Sequence, residues 1–282
     1  MATNYGPMIR AFPGEVDPGL RRENASKDQS PATAVTEDGF LGGQLLLRQP
    51  RSGHRAGHDA ILLAAATPAR PGDRVVDLGS GVGAAGLAVA RRLGGIDLAL
   101  VEIDPALAEL ARNNAGTNAI TADVMVLDVE AEASVFAAAG LGPDSADVVL
   151  MNPPFNDPAR HRASPDRVRE RAHVATATTL ENWVHVARRI LKSNGQLAMI
   201  WRADGIAEVL AALGRGFGSV EILPVHADAA SPAIRILVRA TKGGRAPTRL
   251  HAALLLNDAS GVPNKWVQDI LAGKEGLPLA RR

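Results

Sequence analysis

The chain of 282 residues contains no cysteine. That excludes a disulfide framework, a thiolate zinc site and a cysteine nucleophile, and it fits an intracellular protein. Aromatic residues are scarce, with five Phe, three Trp and one Tyr, so an aromatic side chain among turn residues, such as Phe155, is informative. No apolar run approaches the roughly 18 residues of a membrane span, and the N-terminus lacks the charged-then-apolar order of a signal peptide. A cytoplasmic location without a membrane partner is therefore expected. No metal-ligand cluster is visible, so no metal is expected. Net charge is nearly absent as well: 31 Lys and Arg against 30 Asp and Glu give +1, which argues neither for nor against a nucleic-acid partner.

What is present is an apolar content of 46%, enough for a sizeable core. Residues 1–36 mix Pro, Gly, Asn, Ser and charge without periodicity, which predicts a disordered tail. Residues 37–70 read as a strand pair and a helix leading into the core. Residues 71–256 then alternate strand and helix, and residues 257–282 form a helical extension. Strands Arg74 to Leu78, Leu98 to Ile103, Asp123 to Leu127, Ala146 to Met151 and Gln196 to Trp201 alternate with helices, which implies parallel pairing. SVEILPVH and AIRILVRAT, joined without a helix, should pair antiparallel. The expected fold is α/β, a Rossmann-like doubly wound, mostly parallel seven-stranded sheet with an antiparallel C-terminal hairpin.

Four strand tips carry polar residues. RVVDLGSGVGAAG puts Asp77, Gly79, Gly81 and Gly83 where the first core strand turns into its helix, the usual ligand crevice of such a sheet. Glycines let backbone approach a ligand, and the helix start supplies free N–H groups. The loop also satisfies a loose dinucleotide fingerprint. Glu102, 23 residues after Gly79, suits the ribose of either NAD or S-adenosylmethionine. Asp77 is attractive for a cationic amino-acid group and awkward for a pyrophosphate. Asp128 can accept from an adenine amine, and Asn152 ends the fourth strand. Capping and loop solvation explain any one tip but not all four together.

VVDLGSGVG, LVEID, VLDVE and MNPPF, in this order, resemble the motifs of class I S-adenosylmethionine-dependent methyltransferases over Gly72 to Phe155. With FLGGQLLLRQPRSGHRAGHDAILLAAA ahead and LPVHADAASPAIRILVRATKGGRAP behind, the chain resembles the bacterial tRNA adenine-N6 methyltransferases that modify valine tRNA beside its anticodon, over Gly39 to Pro247. It departs from them at His58, where a Thr is more usual, and after Leu256. The resemblance implies S-adenosyl-L-methionine as cofactor, S-adenosyl-L-homocysteine as product and an RNA substrate, tRNA. It implies cofactor contacts from Asp77, Gly79, Gly81, Gly83, Glu102, Ile103, Asp128, Val129 and Asn152, and a catalytic set of Asn152, Pro153, Pro154 and Phe155.

The chemistry implied is specific. The lone pair of an exocyclic amine is delocalised into the ring, so two acceptors, the Asn152 side chain and the Pro153 carbonyl, are needed to direct it at a methyl group. Proline fixes φ and holds those acceptors rigidly, and Phe155 would stack on the target ring. The same tetrapeptide serves enzymes that methylate a glutamine amide of release factors, so it specifies a planar amine rather than a base. Those enzymes carry an N-terminal helical domain that this chain lacks, and adenine is preferred; a small-molecule acceptor is the other alternative. His58, His161 and His173 read as surface or helix-start residues, and Trp183 and Trp201 as packing residues. Three basic stretches are candidate RNA contacts: Arg48, Arg51 and Arg55; five arginines between Arg160 and Arg171; and Arg235, Arg239, Lys242, Arg245 and Arg249. Each is also explained as an ordinary solvated face.

Overall fold

The structure, a computed structural model, describes residues 35–51, 55–154 and 165–282, with side chains from residue 178 onward in the last stretch. The tail expected over residues 1–36 falls outside the described residues as far as residue 34, and its last two residues belong to a strand. That strand, β1 (Val35–Phe40), pairs antiparallel with β2 (Leu45–Pro50) as a separate two-stranded sheet. Alternation in β2 buries Leu45 and Leu47 and leaves Leu46 and Arg48 outward, the period-2 signature of a strand with one covered face.

The remaining elements follow in chain order: α1 (His58–Ala66), β3 (Arg74–Leu78), α2 (Ala84–Leu93), β4 (Asp97–Glu102), α3 (Pro105–Thr117), β5 (Asp123–Val126), α4 (Ala133–Ala138), β6 (Ala146–Met151), α5 (Pro165–Ile190), β7 (Leu191–Arg202), α6 (Ile206–Leu213), β8 (Phe217–His226), β9 (Ala233–Lys242), β10 (Arg249–Leu250), β11 (Leu254–Leu255) and α7 (Lys265–Leu271). Local chemistry sets several ends. Asp104 caps α3 by accepting from the N–H of Ala106 at 2.8 Å, with Pro105 in the first turn, and Asn264 caps α7 by accepting from Val267 N–H at 2.9 Å.

The Rossmann-like α/β class holds, but the expected seven-stranded, mostly parallel sheet closing on a C-terminal hairpin is incorrect. One mixed sheet of nine strands forms, in the order β10-β8-β9-β7-β6-β3-β4-β5, with β11 also on β8. β9 pairs antiparallel with β7 as well as with β8, and β10 and β11 add to β8 in parallel. The sheet therefore continues past the pair that was expected to end it, and the free-standing antiparallel hairpin is the N-terminal β1–β2 instead. Strands of two residues are too short to display alternation, so RLHAALLLN, Arg249 to Asn257, hides both β10 and β11.

Two helical layers cover the sheet. Val75, Leu98, Leu100, Val148, Leu150, Ala198 and Ile200 face one core, with α1, α2, α3, α7 and the hairpin. Val76, Leu78, Ala99, Val101, Val149, Met151, Leu197, Met199 and Trp201 face the other, with α4, α5 and α6. Burial on both faces explains why the central strands read as continuous apolar runs. Among the described residues no helix is long and apolar enough to cross a membrane.

Candidate active site

Register brings the strand tips together. Leu78 lies opposite Met151 on β6 and opposite Val101 on β4, so Gly79, Glu102 and Asn152 all emerge at one edge of the sheet. From β3 the chain moves outward through β4 to β5 and then returns to place β6 on the other side of β3. Gly79 and Asn152 therefore flank the topological switch point, where open α/β sheets bind ligands.

Gly79, Gly81 and Gly83 all adopt left-handed backbone, with φ of 69°, 56° and 85°. Gly79 has a second reason to be glycine. A Cβ there would lie 2.3 Å from the Trp183 ring, so this tryptophan of α5, expected to be a packing residue, packs directly on the glycine turn. At Gly81 a Cβ would meet nothing within 4 Å, which leaves the turn open on that side. The turn is held from inside: Ser80 N–H donates to Val101 O at 2.9 Å, and Gly83 N–H to Ser80 O at 2.8 Å. The Ser80 hydroxyl oxygen is buried without a partner among the described residues; a serine between glycines gave no sequence signal of this.

Asp77 is 2% exposed and its Oδ2 accepts from Gly86 N–H at 2.8 Å in the first turn of α2. Burial pushes its carboxyl from 3.8 up to about 7; the Gly86 hydrogen bond opposes the rise and the charge of Glu102 adds to it. Glu102, 7% exposed, has each oxygen on one backbone donor, Gly81 N–H at 2.7 Å and Asp104 N–H at 2.9 Å. Expected at the ribose of a cofactor, it also braces the glycine turn. A carboxylate has about four acceptor positions, so capacity remains for ribose hydroxyls.

Ile103 is 59% exposed beside Glu102, an apolar surface of the kind a nucleobase covers. Asp128 is exposed, with Oδ1 accepting from Glu130 N–H at 2.8 Å. Val129 is buried in the second core, so only its backbone can reach a ligand. Asn152 is half-buried, and its Oδ1 is buried with no partner among the described residues. Buried acceptors are nearly always satisfied, so this oxygen calls for a donor that is not among the described residues. Pro153 is buried and Pro154 exposed; Phe155 lies outside the described residues. Taken together, an open left-handed turn, two buried carboxylates, an exposed apolar side chain and an orphaned amide oxygen fit S-adenosylmethionine. Among the described residues no group of three or more His, Asp or Glu could hold a metal ion.

The basic stretches change character on folding. Arg48 pairs with Glu37 at 3.0 Å and Arg55 with Asp38 at 2.6 Å across the hairpin. Arg235 pairs with Asp59 at 2.9 Å, Arg239 with Glu221, and Lys242 with Asp144 at 3.2 Å. Arg235, opposite Arg202 at the end of β7, sits at the edge that carries Asn152. β9 then runs away from that edge, so Lys242 and the exposed Arg245 beyond it lie at the far side of the sheet. Of the stretch between Arg160 and Arg171, residues 160–164, His161 among them, lie outside the described residues, and Arg167, Arg169 and Arg171 belong to the first turns of α5.

Residues 54–227 match the family model of the methyltransferase small domain. The chain is 28% identical, over 77% of its length and 84% of the relative's, to a tRNA1(Val) (adenine(37)-N6)-methyltransferase of Dickeya chrysanthemi. It is 27% identical to a release factor glutamine methyltransferase of Chlorobaculum tepidum, over 53% of this chain and 52% of that one. Among solved structures, a predicted O-methyltransferase from Agrobacterium tumefaciens is 33% identical with a TM-score of 0.65, covering 78% of this chain and 98% of its own.

Proposed function

The chain belongs to the methyltransferase small domain family and is a class I S-adenosylmethionine-dependent methyltransferase, and from that premise we propose that it methylates the exocyclic N6 amine of an adenine in tRNA. The observation that carries this reading is the Asn152 Oδ1, a buried acceptor with no partner among the described residues, at the switch point beside the glycine turn. Similarity to the Dickeya chrysanthemi enzyme supports adenine in tRNA. Such a substrate puts the protein's work in the cytoplasm.

S-adenosylmethionine, when bound, supplies an electrophilic methyl group on a sulfonium. The glycine turn, Asp77, Glu102, Ile103, Asp128 and the Val129 backbone would hold it. Asn152 accepts one amine hydrogen and the Pro153 carbonyl the other, so the nitrogen lone pair is directed at the methyl carbon rather than spread into the ring. The amine would give up its proton to solvent once it carries the methyl, with Asn152 and the Pro153 carbonyl holding it in place until then. No strong base is required, and positioning with preorganised acceptors supplies the rate. Phe155 would stack on the base.

Asn152 cannot take up a proton, which argues against a hydroxyl acceptor, where a base must act during transfer. A glutamine amide shares the planar nitrogen and is the second reading, supported by the Chlorobaculum tepidum relative. The experiment is methyl transfer to tRNA from cells lacking the protein, with nucleosides read by mass spectrometry. N6-methyladenosine should form, and Asn152→Ala should lower single-turnover transfer by about 10² to 10³, by analogy with loss of one oxyanion-hole donor. Methylation of a release-factor peptide but not of tRNA would replace adenine with glutamine. Unchanged transfer by Asn152→Ala would remove the motif from amine activation.

A further inference from the structure

Asn114, in the last turn of α3, and Asn118, the C-cap of that helix, face the edge of β2 that points away from β1. The N–H of Leu46 donates to Asn118 Oδ1 at 2.9 Å, and Asn118 Nδ2 donates back to Leu46 O at 2.8 Å. The N–H of Arg48 donates to Asn114 Oδ1 at 2.8 Å, and Asn114 Nδ2 donates back to Arg48 O at 3.0 Å. The match is geometric: four helical residues rise about 6 Å and two strand residues about 6.6 Å, so the two amides act as the next strand of the hairpin.

The two asparagines differ in one respect. The Asn114 Nδ2 also donates to Val82 O at 3.0 Å, inside the glycine turn, whereas Asn118 makes its third bond to Asn114 O within its own helix. The Val82 carbonyl precedes the Gly83 cap of α2 and so lies outside the helical hydrogen-bond ladder. Asn114 is 0% exposed, which makes an unpaired Val82 carbonyl there costly. Its neighbour Ala111, one turn earlier, would be 3.4 Å from a Cβ at Gly83, so α3 seats this side of the turn by contact as well as by hydrogen bond.

We propose that Asn114 is a positioning residue for the cofactor turn, one that ties the seating of the β1–β2 hairpin to the conformation of residues 79–83. Asn118 holds the hairpin without touching the turn, and the pair therefore separates anchoring from positioning. Coupling of this kind is reciprocal: what orders the turn steadies Arg48, and what loosens Arg48 weakens the turn.

The test uses the full chain and S-adenosylhomocysteine. Asn114→Ala and Asn118→Ala should both lower thermal stability, but only Asn114→Ala should weaken S-adenosylhomocysteine, by about tenfold for one lost buried hydrogen bond. Should Asn114→Ala not fold, Asn114→Ser, uncharged and too short to bridge Arg48 and Val82, carries the same comparison. Hydrogen exchange supplies the second readout. S-adenosylhomocysteine should slow exchange of the Arg48 amide in wild type and in Asn118→Ala, but not in the Asn114 variants. Equal loss of affinity in both asparagine variants, or an Arg48 amide indifferent to the ligand in wild type, would overturn the assignment.

Discussion

Asp77 is under opposite demands in the free and bound protein. Folded, its carboxyl holds a proton to about pH 7, while an unfolded one releases it near 3.8. The folded state thus binds more protons between those values, so this group's contribution to stability falls as pH rises from about 4 to about 7 and is flat above that. Asp77→Asn has no proton to lose, and urea midpoints of wild type should decline relative to that variant across the same window. The ammonium of S-adenosylhomocysteine favours the ionised carboxylate, so binding near pH 7 should release a proton, read by calorimetry in buffers of differing ionisation enthalpy. Binding without proton exchange would remove Asp77 from the ammonium site. The place of Asp77 at the tip of a strand was legible in the sequence because an apolar run ending in glycines fixes it. That Glu102 also braces Gly81, and that Val129 turns into the core, depends on where backbone N–H groups and side chains point, which no motif encodes.

The glycine turn and α5 form a unit that the sequence divides by 100 residues. With Trp183 on Gly79, a methyl group at position 79 meets the indole and must also adopt a φ of 69°. At Gly81 a methyl has room and faces only the backbone penalty. Gly79→Ala should therefore lower the thermal midpoint and S-adenosylhomocysteine affinity more than Gly81→Ala. Trp183→Leu should recover part of the stability lost in Gly79→Ala while costing stability in wild type, a coupling measurable as a double-mutant cycle. Additive effects would mean that the ring yields freely. Strands β3 and β6 were legible to the residue, because apolar runs bounded by turn residues identify buried parallel strands. The start of β7 was not. Leu191 continues the apolar rhythm of α5, yet it already pairs with Ala146, and the register shifts before Gln196; only the neighbouring strand makes that segment extended. The amide ladder of Asn114 and Asn118 was equally hidden, since two asparagines on a helix face read as solvated polar residues.

Across the whole molecule, charge is distributed by the fold rather than by sequence neighbourhood. Stretches of arginine without a nearby acid acquire partners from far along the chain, as when Asp59 meets Arg235 across 176 residues. Each such pair cancels a charge that could otherwise meet phosphate. Position matters further, because β9 carries Arg235 to the edge that bears Asn152 and leaves Arg245 at the opposite one. α5, by contrast, starts ten residues beyond Phe155 and carries Arg167, Arg169 and Arg171 in its first turns. If tRNA is the substrate, its phosphates reach the segment that follows the acceptor motif and not the far side of the sheet. Arg167→Glu should then weaken tRNA binding and lower the slope of log affinity against log salt by about one, as loss of a single phosphate contact does. Arg245→Glu should leave both affinity and slope unchanged, and neither change should alter S-adenosylhomocysteine binding. Filter binding across a salt series separates the outcomes. A loss at Arg245 equal to that at Arg167 would mean that tRNA wraps the sheet from edge to edge, and that the substrate path is not confined to the side bearing Asn152.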